Sequence, residues 1–208
     1  MRTLSVVIPV KDDAVALERC LRLLGRQSLP PTEVVVVDNA STDTSAQVAR
    51  THGARVVHEP RPGIPAAASA GYDAATGDLI VRCDADTAPP RDWLERVARR
   101  MDAEPGLEAV TGSGRFYDLP WWLAPVAAGV YLGAFYVLMY AALARPPLWG
   151  SNMAVRRETW QRVSRRVHRE DPELHDDVDL AFALGPHCRT RYAADLRVGV
   201  SARSLRGW

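Results

Sequence analysis

GDLIVRCDADTAPPRDWL, residues 77–94, is the stretch on which the fold reading turns. Leu79 to Cys83 is a short apolar run broken only by Arg82. Gly77 precedes it, and Asp84-Ala85-Asp86 and the Pro89-Pro90 turn follow. A run of this length with such punctuation reads as a buried strand whose carboxyl end carries two aspartates. The same pattern recurs upstream. Leu4 to Val10 is a nearly continuous apolar run, after which Leu17, Cys20, Leu21 and Leu24 recur at helical spacing as far as Gly25. Val34 to Val37 closes on Asp38, and the polar turn Asn39 to Thr42 leads into a helix that Gly53 can end. Arg55 to His58 offers a third strand, and Ala66 to Ala75 a helix of small residues. Short apolar strands alternating with helices predict an α/β fold, a mostly parallel sheet covered on both faces. Ligands of such sheets sit at the carboxyl ends of the strands, so Asp12, Asp38 and Asp84 are expected along one rim.

Downstream, Arg91 to Glu104 reads as a helix and Leu107 to Thr111 as a strand. Met153 to Val163 reads as a strand running into a helix, the acidic stretch 170–179 leads into a short helix ending at Gly185, and two weak strands are expected near Tyr192 and Val198. With 208 residues, 47% hydrophobic and 25% charged, one domain is the expectation. Net charge is +1 without a basic block, which argues against nucleic acid as a partner. Cys20, Cys83 and Cys188 are odd in number and lack metal-ligand spacing, so neither a disulfide framework nor a zinc site is expected, and a reducing cytosol fits. No apolar leader with a small-residue cleavage site follows Met1, so secretion is not expected.

Two carboxylates at a strand end suit a hard divalent cation that bridges to a diphosphate. The bare pattern is weak, because 16 aspartates produce about one Asp-x-Asp by chance and Asp177-Val178-Asp179 is a second. Taken alone, Asp38 reads as a turn residue, and Asp176, Asp177 and Asp179 as helix-opening residues. The five histidines show no metal-binding spacing.

In order, SVVIPVKDD (5–13), VVVDNASTD (35–43), GDLIVRCDADTAPPRDWL (77–94), GSNMAVRRETW (150–160) and HDDVDLAFAL (175–184) resemble the family 2 glycosyltransferases. The resemblance implies a single GT-A domain over 1–208 with a Rossmann-like, mostly parallel sheet flanked by helices. Its nucleotide-sugar half would be 4–90 and its acceptor half 91–208. The implied activity is inverting, non-processive transfer of a sugar from a nucleotide diphosphate sugar to an acceptor hydroxyl. The resemblance assigns Pro9, Asp12, Asp38, Arg82, Asp84 and Asp86 to donor binding, and Asp86 with Asp84 to a divalent cation, Mn²⁺ or Mg²⁺. It makes Asp177 the catalytic base, with neighbouring Asp176 the alternative by one residue, and leaves Asp179 to orient the helix. Ala68 and Ser69 stand where the family often has Arg and Asn, and Arg82 is a substitute cation for the diphosphate or a structural partner of a carboxylate. SARSLRGW (201–208) carries an Arg-x-x-Arg pair without the Gln-x-x-Arg-Trp of processive members.

Leu119 to Ala144 has no charged side chain and is long enough for a bilayer, which takes about 20 apolar residues. A single crossing would part Asp86 from Asp177, so the expectation is a helix lying in a membrane interface with Trp121 and Trp122 as anchors, beside a lipid-linked acceptor. A core helix and a homodimer interface are the alternatives. The implied location is cytoplasmic, peripheral at the inner face of the cell membrane. Competing functions are a silent sugar-nucleotide-binding protein and a nucleotidyltransferase. No Gly-rich phosphate loop follows the first strand, which weakens the latter.

Overall fold

The computed structural model describes residues 2–205. Seven strands form one sheet in the order β3-β2-β1-β4-β6-β5-β7. They are β1 (Leu4–Val10), β2 (Glu33–Asp38), β3 (Arg55–His58), β4 (Leu79–Arg82), β5 (Ala109–Phe116), β6 (Met153–Arg156) and β7 (Thr190–Val200). β1 to β4 are mutually parallel, β6 runs antiparallel to both β4 and β5, and β7 is parallel to β5. The fold class is thus the mixed α/β sheet expected, with one reversed strand.

The helices are α1 (Ala14–Leu24), α2 (Ser45–Thr51), α3 (Ile64–Ala74), α4 (Trp93–Ala103), α5 (Ala124–Leu143), α6 (Arg157–Val163) and α7 (Asp176–Leu184). α1 buries Leu17, Cys20, Leu21 and Leu24, the four residues its spacing singled out. The sheet separates two apolar layers. One packs α1 and α4 on Leu4, Val6, Ile8 and Val81, and the other packs α3, α6 and α7 on Val7, Val35, Val37 and Ile80. Alternate residues of β1 thus enter opposite layers, the period of two that a strand buried on both faces requires. Each fully buried aliphatic side chain adds about 1.5–3 kcal/mol of transfer free energy. Cys20, Cys83 and Cys188 are free thiols, with the sulfurs of the first two 3.9 Å apart.

Three local readings need correction. β5 runs on to Phe116, well past Thr111. Within it, a Cβ at Gly112 would meet Leu196 O at 2.2 Å and one at Gly114 the Trp149 ring at 2.4 Å, so the glycines serve close packing. The two weak strands expected near Tyr192 and Val198 are one strand, β7, at the sheet edge. Finally, α5 is not the core helix offered as an alternative, for only one side of it is buried. Ala124, Ala128 and Leu132 are buried, and Phe135 and Tyr136 pack beside them on the sheet. Val130, Val137 and Leu138 on the other side are about 70% exposed. The Tyr136 hydroxyl fixes the helix by donating to Gly112 O at 2.6 Å.

Candidate active site

The parallel register places Val10 beside Asp38, and β4 flanks β1 on its other side, so Asp12, Asp38 and Asp84 leave neighbouring strands at the same sheet edge. Pro9 lies on β1 opposite Val37. Asp12 has φ +50°, and its Oδ1 accepts the Thr42 N–H at 2.6 Å, the Thr42 hydroxyl at 3.0 Å and the Asp43 N–H at 3.2 Å. The Thr42 N–H and hydroxyl hold the Asp12 carboxyl below the usual carboxylate range. Asp38 is buried, accepts the Ser41 N–H at 3.1 Å and lies 3.4 Å from His58 Nδ1. Both residues therefore shape the loop after β2. That loop is locked further by buried Asn39, whose amide donates to Glu59 O and Arg61 O and accepts the Gly63 N–H.

Beyond β4 the chain turns at once, with the Thr87 N–H donating to Asp84 O at 3.0 Å. Asp84 accepts from Arg82 Nη2 at 3.1 Å and from the Ser151 hydroxyl. Arg82 itself is 3% exposed, and its Nη1 lies 3.4 Å from Asp176 Oδ2 at the start of α7. Burial works against the Arg82 charge, and the carboxylates of Asp176 and Asp84 with the Tyr72 phenol more than offset it. Asp177 accepts the Gly150 N–H at 2.7 Å on Oδ2 and its neighbour Val178 N–H at 2.8 Å on Oδ1. The end of β4, the 150–151 turn and the amino end of α7 thus meet around one buried guanidinium. Gly150 makes this closeness feasible, since a Cβ there would stand 1.3 Å from Arg82 Nη1.

The two acidic pairs differ from ordinary surface carboxylates. Burial, reinforced by repulsion from Asp84, pushes the Asp86 carboxyl up to about 6 while Arg203 opposes the shift. Arg203 Nε lies 2.9 Å from Asp86 Oδ2, and the Tyr117 hydroxyl donates to Asp86 O at 3.0 Å. Burial pushes Asp176 up to about 7 against the pull of Arg82, with Asp177 and Asp84 adding repulsion. Tyr72 Oη, Arg82 Nε and Asp176 Oδ2 are buried without a hydrogen-bond partner, and Tyr72 and Asp176 line a small pocket with Ala68 and Ser69. Asp179 takes its oxygens away from this centre, accepting His168 N–H at 2.7 Å and meeting His168 Nδ1 at 2.8 Å.

Among the described residues no group of three or more His, Cys, Asp or Glu is arranged to hold a metal ion by itself. Asp84 and Asp86 could supply two hard oxygen donors, leaving other positions to a bound diphosphate. Sequence reasoning missed three organising residues. Ser151 reaches Asp84. Buried Asn152 donates to Ser113 O and Leu196 O and accepts from Trp93 Nε1 at 2.9 Å, tying β5, β7 and α4 behind the site. Arg203 is the third. Only the GSN triplet at 150–152, three small or polar residues before an apolar strand, gave a signal. Arg206 of the Arg-x-x-Arg pair lies outside the described residues.

A Rossmann-like sheet with acidic strand ends on one rim and a reversed strand beside β4 is the GT-A fold of glycosyltransferases, and its solved neighbours agree. A mannosyltransferase of Pyrobaculum calidifontis, solved with GDP-Man and Mn²⁺, superposes with a TM-score of 0.75 at 24% identity over 100% of this chain and 59% of that one. At that identity the likeness shows the fold. Residues 5–163 match glycosyl transferase family 2, and the chain belongs to that family. An uncharacterised glycosyltransferase of Mycobacterium tuberculosis is 38% identical over 130 residues, 61% of this chain and 56% of its own. A Klebsiella pneumoniae undecaprenyl-phosphate 4-deoxy-4-formamido-L-arabinose transferase is 33% identical over 116 residues, 49% of this chain and 34% of its own. The chain spans about half the length or less of these curated relatives.

Proposed function

We propose that this chain is an inverting, non-processive glycosyltransferase that moves a sugar from a nucleotide diphosphate sugar to an acceptor hydroxyl. The observation that carries the reading is the buried Arg82, which joins the aspartate end of β4 to the amino end of α7 through Asp84 and Asp176. The donor half, 4–90, would then hold the nucleotide along Pro9, Asp12 and Asp38, and the half from 91 to 208 would bring the acceptor. Asp84 and Asp86 fit a divalent cation, Mn²⁺ or Mg²⁺, because both are hard oxygen donors and the Asp86 carboxyl is held buried beside a like charge. Bound there, the cation supplies Lewis-acid stabilisation of charge on the leaving diphosphate.

Asp177 accepts the proton of the acceptor hydroxyl as its oxygen attacks the anomeric carbon. The carbon–diphosphate bond breaks on the opposite face, the diphosphate keeps the electron pair, and the configuration inverts. Asp176 differs in setting. With its side chain 10% exposed and facing Arg82, it holds α7 to β4. Arg82 is paired on both sides, which supports a structural part in preference to direct contact with the diphosphate.

The acceptor is proposed to be lipid-linked and the protein peripheral at the cytoplasmic face of the membrane. In support, α5 is long and apolar enough to cross a bilayer, with mean hydropathy 1.8, and its outward side is exposed together with Trp121 and Trp122. Its two flanks nevertheless return to one site, Tyr117 at Asp86 and Gly150 at Asp177, which supports a helix lying in the interface over one that spans. A homodimer contact is the alternative use of that surface. The test of the reaction is a screen of UDP- and GDP-sugars with Mn²⁺ or Mg²⁺, followed by NMR of the product. Metal-dependent turnover with an inverted anomeric centre is expected. Retention of configuration would overturn the mechanism, and no turnover or binding of any nucleotide sugar would overturn the assignment.

A further inference from the structure

Arg203 stands on a carboxylate that the cation reading needs. Its Nε lies 2.9 Å from Asp86 Oδ2, and its Nη1 meets Asp13 at the start of α1. The guanidinium is presented by an anchored turn. Asp118 accepts the Ser201 hydroxyl and the Ala202 N–H, both at 2.7 Å, Ala202 is buried, and the Arg203 N–H donates to Ser201 Oγ at 3.2 Å. The residue before Asp118 is Tyr117, whose hydroxyl holds the Asp86 carbonyl. One dipeptide therefore fixes both the backbone of Asp86 and the turn that carries Arg203.

The charges explain why such a contact would exist. The Asp86 side chain is 11% exposed, so an ion that reaches it meets the Arg203 guanidinium already there. Arg203 is 54% exposed and has a second carboxylate in Asp13, so it can leave Asp86 without becoming unpaired. A guanidinium and a divalent ion on the same carboxylate oxygen repel one another. We propose that Arg203 is a positioning residue that occupies the Asp86 carboxylate before the cation arrives, and that cation binding is an exchange in which the guanidinium leaves Asp86 Oδ2 and stays on Asp13. The inference rests on the cation reading of Asp86. Its consequence is a site with weak affinity for the bare ion, filled when ion and diphosphate enter together.

Mn²⁺ titration of the full chain, followed by the electron paramagnetic resonance of free Mn²⁺, tests this without any turnover. Removing a charge-assisted contact of this kind changes affinity by roughly tenfold. Without nucleotide, Arg203→Gln is expected to bind Mn²⁺ about tenfold more tightly than the wild type, with Arg203→Lys between them, and circular dichroism melts confirm that each variant is folded. With UDP or GDP present, the gap should narrow. Equal or weaker Mn²⁺ binding by folded Arg203→Gln, alongside nucleotide-supported Mn²⁺ binding that Asp86→Ala abolishes, would overturn the exchange and leave the cation site standing. Absence of Mn²⁺ binding in every variant, with or without UDP or GDP, would overturn both.

Discussion

Gly150→Ala should be among the most damaging small substitutions in this chain. The added Cβ would lie 1.3 Å from Arg82 Nη1 and 2.4 Å from its Cζ, far inside contact distance. The obstacle is the tip of a flexible side chain, which elsewhere would move aside at little cost. Here Arg82 is 3% exposed and held between Asp84 and Asp176, so moving it breaks a buried ion-pair arrangement. Removing one partner of a buried pair costs about 3–5 kcal/mol, and the lower figure suits a displacement. At about 2–4 °C per kcal/mol for a chain of this size, the melting temperature should fall by roughly 6–12 °C. Differential scanning calorimetry measures it, and Arg82→Ala supplies the control. Once Arg82 is gone, adding Ala at 150 should cost under about 1 kcal/mol, so the double-mutant cycle shows strong coupling. A Gly150→Ala protein that melts within about 2 °C of the wild type, or whose cost is the same in the Arg82→Ala background, would refute the clamp.

Asp86→Ala should abolish Mn²⁺-dependent nucleotide-sugar binding in calorimetry; unchanged affinity would exclude the cation site. The Asp86 carboxyl sits at about 6 in the fold, above its ordinary value, so the folded protein binds that proton more tightly than the unfolded chain does. Its contribution is therefore full at low pH and is lost as pH rises from about 4 to about 6, on the order of 2–3 kcal/mol before any cation binds. Urea denaturation at stepped pH should show a shallower fall for Asp86→Asn, and parallel curves would contradict this. Val130, Val137 and Leu138, the most exposed apolar residues of α5, changed together to Ser should abolish flotation with anionic liposomes while leaving the melt nearly unchanged. Flotation retained by that variant, or protease sites at the two flanks of α5 on opposite sides of sealed vesicles, would reject the interfacial helix.

The parallel half of the sheet was legible because β1, β2 and β4 are buried on both faces and read as apolar runs with clear punctuation. β7 was not, since an edge strand keeps Arg191, Asp195 and Arg197 in water and its pattern breaks into two weak pieces. β5 was legible only as far as Thr111, because the sequence does not reveal that Gly112 and Gly114 admit Leu196 and Trp149. α5 could be recognised as a helix, but its packing side could not, for it is apolar all round and only tertiary contact selects Ala124, Ala128 and Leu132. At the site, the aspartates at strand ends were marked by their position. Their partners were not, because Arg82–Asp176 and Asp86–Arg203 join residues about a hundred positions apart that no local period connects.

In the proposed reaction, donor binding and proton removal belong to separate carboxylates of one site, with Asp177 as the base. Donor affinity and single-turnover transfer, measured side by side on Asp177→Asn with the nucleotide sugar found in the screen, test it most directly. Affinity should stay within about twofold of the wild type while transfer falls by roughly 10²-fold or more. Transfer at the wild-type rate by Asp177→Asn, or its loss in Asp176→Asn alone, would contradict the account.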